Sequence, residues 1–79
     1  MPRIEFDKEA DAIYIYLSDK PVAYTKKLDD MRYVDYTSDD TPVGIELLCV
    51  SEGVDVIDLP NSEEIARMLE NKRIKILAG

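Results

Sequence analysis

Histidine is absent from this chain of 79 residues, and with it go nitrogen-ligated zinc and every Ser-His or Cys-His nucleophile pair. Cysteine occurs once, as Cys49, so an internal disulfide and a thiolate metal site are both excluded. Set in the apolar run Ile45-Glu46-Leu47-Leu48-Cys49-Val50, with no histidine to activate it, the thiol reads as a small core residue. Gly44, Gly53 and Gly79 are scattered, which removes any glycine loop of the kind that cradles phosphate. No stretch approaches the roughly eighteen apolar residues of a membrane span. Nor does Met1-Pro2-Arg3-Ile4-Glu5 have the basic region and apolar run of a secretion signal. The expectation is a cytoplasmic chain that is not an enzyme, uses no cofactor and contacts no membrane.

What is abundant is acid. Seventeen Asp and Glu against ten Lys and Arg give a formal charge of −7, and a surface of that sign repels phosphate backbones, so nucleic acid is excluded as a partner. Apolar residues at 46% are enough to offset the entropy of ordering, which marks the chain as folded. Residues 1–79 make a single domain with one core, and a fold of this size hides only about 60% of the surface its unfolded chain exposes. Assembly into a homo-oligomer, or with a small protein partner, is a natural source of further burial.

The patterning predicts an α+β fold: an antiparallel β-meander of about five strands, then one helix and a short C-terminal strand. Apolar and polar residues alternate in Arg3-Ile4-Glu5-Phe6 and Ala12-Ile13-Tyr14-Ile15-Tyr16-Leu17 around the turn Asp7-Lys8-Glu9-Ala10-Asp11. Residues 22–28 are extended between turns at Ser18-Asp19-Lys20-Pro21 and Asp29-Asp30. Arg32-Tyr33-Val34-Asp35-Tyr36 and Val43-Gly44-Ile45-Glu46-Leu47-Leu48 flank the turn formers of residues 37–42 as a hairpin. After an irregular apolar connector over residues 54–59, Asn61 and Glu64 have capping-box spacing, and Ile65, Met68 and Leu69 form one helical stripe. Arg73-Ile74-Lys75-Ile76-Leu77 alternates again, as a final strand.

Two constellations stand out. In the second strand Ile13, Ile15 and Leu17 point to one face and Tyr14 and Tyr16 to the other, so both faces carry apolar bulk. A helix of about ten residues spans roughly 15 Å and covers part of one face only. Tyr14, Tyr16, Tyr33 and Tyr36 are therefore candidate interface residues. The acidic surroundings Asp19, Asp29, Asp30 and Asp35 argue against reading them as stacking platforms for nucleic acid. Asp7, Glu9 and Asp11 present alternate carboxylates like the opening of a calcium loop. Ala12 stands where that loop needs glycine and Ser18 where it needs the closing glutamate, so at most a weak cation site is expected, helped by Asp35 or Glu46.

Residues 4–18, from Ile4-Glu5-Phe6-Asp7 through the acidic turn to Tyr14-Ile15-Tyr16-Leu17-Ser18, together with Val34-Asp35-Tyr36 and the return Val43-Gly44-Ile45-Glu46-Leu47-Leu48, resemble the DUF2283 family of small prokaryotic proteins. The resemblance covers residues 3 to about 50 and implies no activity. It implies, as an alternative to a self-associating module, an antitoxin-like accessory role, while the acidic residues Asp7, Glu9 and Asp11 themselves offer a small ligand- or metal-binding domain as the other alternative. Family members carry Asp-Gly in the second hairpin where this chain has Asp39-Asp40-Thr41-Pro42, which leaves the turn type open.

Overall fold

Period-two alternation is realised as five strands in the computed structural model, which describes residues 3–77. They are β1 (Arg3–Asp7), β2 (Ala12–Tyr16), β3 (Tyr24–Asp29), β4 (Arg32–Tyr36) and β5 (Pro42–Leu48). All neighbours are antiparallel, in the order β1-β2-β5-β4-β3. This is not the sequential order of a simple meander. The segment after β2 crosses the start of β5, where the Val43 carbonyl accepts from the amides of Leu17 and Ser18, and carries the chain to the far edge. The physical reason lies in β5, whose Val43, Ile45 and Leu47 are buried and need a strand on each side.

The β4–β5 hairpin turns without a glycine because Asp40 takes the left-handed conformation at φ 67°. Its amide bonds the Thr37 carbonyl, and the Thr37 amide bonds the Thr41 carbonyl. Buried Thr37 is satisfied locally, its hydroxyl donating to Asp39 while accepting from the Thr41 amide.

One sheet face carries the core. Ile13 lies opposite Leu47, while Ile15 and Val34 flank Ile45 from either side, and all five are at most 1% exposed. Helix α1 (Ser62–Asn71) contributes Ile65 and Leu69, with Met68 packed beside them, as its stripe predicts. The connector before it supplies Val50, Val54 and Leu59, so the area left by the short helix is filled by irregular chain. Arg32 fastens that connector to the sheet. Its Nη1 donates to the carbonyls of Asp55 and Ile57, and its Nε bonds Asp29 at 2.9 Å. The Met31 amide and then the Arg32 guanidinium hold Asp29 below the usual carboxylate range.

Three local expectations change. Asn61 occupies the N-cap position but in the left-handed region at φ 55°, and its side chain makes no capping bond, so no capping box forms. Residues 73–77 make no strand but a single parallel bridge, Val54 to Ile76, with amide–carbonyl bonds on either side of it. The helix end explains this. Arg73 adopts φ 59°, its amide bonds the Glu70 carbonyl and that of Ile74 reaches back to Leu69, closing a Schellman turn that redirects the chain. Cys49, expected in the core, is half-buried and left-handed at φ 53°, because the chain must leave β5 there to enter the 3-10 turn Val50–Glu52.

Candidate functional site

The face opposite the core is written in two cross-strand rows. Glu5, Tyr14, Glu46, Tyr33 and Lys27 follow one another across the sheet, and beside them run Arg3, Tyr16, Gly44, Asp35 and Thr25. Residues opposite each other in antiparallel strands share a face, so aromatic rings alternate there with charges of both signs. Tyr14, Tyr16 and Tyr33 are half-buried, and Glu46 is exposed.

Tyr14 is the best fixed of these groups. A Cβ placed on Gly44 would stand 1.8 Å from the Tyr14 hydroxyl, so the bare glycine lets the phenol lie across β5 and reach β4. There the hydroxyl donates to Asp35 Oδ2, while Asp35 Oδ1 accepts from Thr25. Burial first, and then the hydrogen bond to Asp35 and its negative charge, push the Tyr14 phenol well above its ordinary range. It stays neutral at any physiological pH and acts as a fixed donor, not as a base.

Tyr16 meets Tyr14 edge to face, with ring centroids 4.7 Å apart at 65°. The Arg3 guanidinium lies 4.2 Å from the centre of its ring, and its hydroxyl donates to Glu5 at 2.9 Å. The two rings are thus locked by packing and by polar partners, as a preorganised recognition surface requires.

The four tyrosines singled out from sequence do not share one surface. Tyr36 pairs from the same side of β4 as Val34, packs against the core cluster and stacks on Tyr24 at 5.2 Å. The physical reason is parity: Tyr33 and Tyr36 are three residues apart in one strand and must project to opposite faces. Tyr24 in turn donates to Asp40, which raises its phenol to about 12.

The acidic turn does not assemble into a cage. Asp11, left-handed at φ 54°, accepts from the Ser51 amide at 2.9 Å and from the Ser51 hydroxyl at 2.6 Å, tying the first hairpin to the 3-10 turn. Asp7 caps its own turn through the Ala10 amide. Asp35 belongs to the Tyr14–Thr25 network, two strands away from Asp11. Among the described residues no three acidic or thiol groups converge as metal ligands would. Glu9 and Glu46 do border one open depression, together with Glu5, Asp7, Tyr14 and Leu48. Phe6, Lys8, Ala10, Ala12 and Ile13 complete its lining, so its walls mix acids with one cation and apolar surface.

Asp35 and Gly44 fix Tyr14 in place, a role that sequence reasoning missed. A glycine inside an otherwise β-rich strand, facing a tyrosine strand, was the available signal of a close approach.

Searches of the curated proteins and of the solved structures return no significant match. A family profile described as a protein of unknown function, DUF2283, matches residues 3–51, which span β1 to β5 with both rows of the tyrosine face. On that match, which covers more than half of its length, the chain belongs to the DUF2283 family.

Proposed function

We propose that this domain is a non-enzymatic protein-interaction module whose tyrosine face binds a basic protein surface. The observation that carries this reading is the placement of Tyr14, Tyr16 and Tyr33 on the face that α1 and the connector leave uncovered, interleaved with Glu5, Asp35 and Glu46, with the cations Arg3 and Lys27 only at the outer ends of the rows. Interface cores favour tyrosine because a rigid ring contributes much area at little entropic cost and keeps a polar end for the wet rim. The negative residues beside the rings, on a chain of charge −7, select arginine and lysine on the partner and speed its encounter.

A photoreactive amino acid placed at Tyr16 or Tyr33, compared with one at Arg67 on the exposed side of the helix, tests the reading in the native host. Discrete adducts to one basic protein from positions 16 and 33, and none from 67, are expected. No adduct from either tyrosine position, or the same adducts from all three, contradicts it.

A further inference from the structure

The two edges of the sheet are built differently. Edge strand β3 carries Lys26 and Lys27 and breaks register between Lys27 and Asp29, the usual devices that discourage a strand from pairing with another chain. Edge strand β1 is short and carries charge at Arg3, Glu5 and Asp7, but it has neither lysine nor a break in register. It pairs with β2 residue for residue from Arg3 to Asp7, without bulge, lysine or proline, and Arg3, Glu5, Phe6 and Asp7 are all exposed. Phe6, on the core side of the sheet, is 49% exposed beside half-buried Ile4.

We propose that β1 pairs antiparallel with β1 of a second copy about a twofold axis through Glu5, joining two sheets into one of ten strands. A twofold perpendicular to the sheet keeps each face continuous, so only residues of equal parity can stand opposite one another. Centring on Glu5 uses the whole strand. It sets Arg3 against Asp7 of the second copy, twice by symmetry, and Ile4 against Phe6 of the second copy, also twice. Each opposite-charge or apolar cross-strand pair stabilises the ladder, and the exposed Phe6 ring gains cover from an extension of the core face. Centring on Phe6 would oppose Glu5 to Asp7, and centring on Ile4 would leave Phe6 and Asp7 outside the strand-to-strand pairing. The adverse contact is Glu5 against its own symmetry mate. It is softened because the Glu5 carboxylate already accepts from Tyr16 and lies 3.9 Å from Arg3 of its own chain. The pairing engages the edge residues Arg3 and Glu5 and leaves the Tyr14 and Tyr33 rings and Glu46 free, so either reading can fail without the other.

The charge pattern gives a decisive test. In Arg3→Asp both symmetric pairs become acid against acid, and in Asp7→Arg both become base against base. Each purified variant is expected to dimerise at least about tenfold more weakly than the wild type in sedimentation velocity. An equimolar mixture restores two Asp–Arg pairs and should form a heterodimer about as tight as the wild-type dimer. Asp7→Asn, which keeps an acceptor for the Ala10 amide, should weaken the dimer too and guards against a folding defect in Asp7→Arg. A wild-type chain that stays monomeric at millimolar concentration, variants that dimerise like the wild type, or a mixture with no heterodimer overturns the proposal.

Discussion

The two faces of this sheet share a backbone and are separated by one residue of register, yet they are stabilised by different physics. On the core face, Ile13, Ile15, Val34, Ile45 and Leu47 lose nearly all contact with water under α1 and the connector. On the other, Tyr14 and Tyr16 are half-buried against each other, against Arg3 and over Gly44, and are held by hydrogen bonds to Asp35 and Glu5. Burial is non-directional and scales with area, whereas hydrogen bonds and ring geometry are directional and contribute little net stability. The difference teaches that the first face makes the fold and the second gives it a fixed surface.

Substitutions should separate the faces by size of effect. Ile45→Ala, at the centre of the core face, is expected to cost about 3–4 kcal/mol in urea unfolding, a large part of the stability of so small a domain. Gly44→Ala drives a Cβ into the Tyr14 hydroxyl, and since that group can swing away, the expected cost is about 1–2 kcal/mol. The accompanying loss of the Tyr14–Asp35 bond should appear in the Tyr14 ring resonances by NMR.

Tyr14→Phe keeps the ring and removes only the hydrogen bond, for about 1 kcal/mol at neutral pH. Its pH dependence has a definite sign. The folded-state pKa of Tyr14 is raised above the ordinary tyrosine value, so its contribution is complete below about pH 10 and fades as pH rises toward the folded value. The stability gap between wild type and Tyr14→Phe should therefore stay constant up to about pH 10 and narrow above it, a trend measurable by Tm. The smallest effect belongs to the helix that covers the core. Arg73→Gly places the preferred residue at φ 59° and should stabilise by about 0.5–1 kcal/mol without changing any binding through the tyrosine face.

Much of this was legible in the residues. Period-two alternation gave the strands, and the stripe of Ile65, Met68 and Leu69 gave the helix and its buried side, because solvent partition acts on each element locally. The parity of Ile13 and Ile15 against Tyr14 and Tyr16 gave the two faces. What could not be read depends on contacts between distant segments. Crossing of residues 17–23 to the far edge follows from the demand of β5 for two neighbours, which no local pattern encodes. Asp11 looked like a ligand until the fold brought Ser51 to it, and Asp35 looked like a helper to the same weak cation site until Gly44 opened a path for Tyr14. The Schellman turn at Arg73 was hidden because arginine is an uncommon residue for a left-handed cap.

The separation of the two faces is tested most directly by the urea unfolding free energy of the double variant Tyr16→Ser/Tyr33→Ser. A face kept for recognition predicts a loss of no more than about 1.5 kcal/mol with an unchanged denaturant slope, well short of the cost of Ile45→Ala alone. A loss of about 3 kcal/mol or more would show that the tyrosines hold the fold itself, and would contradict the account.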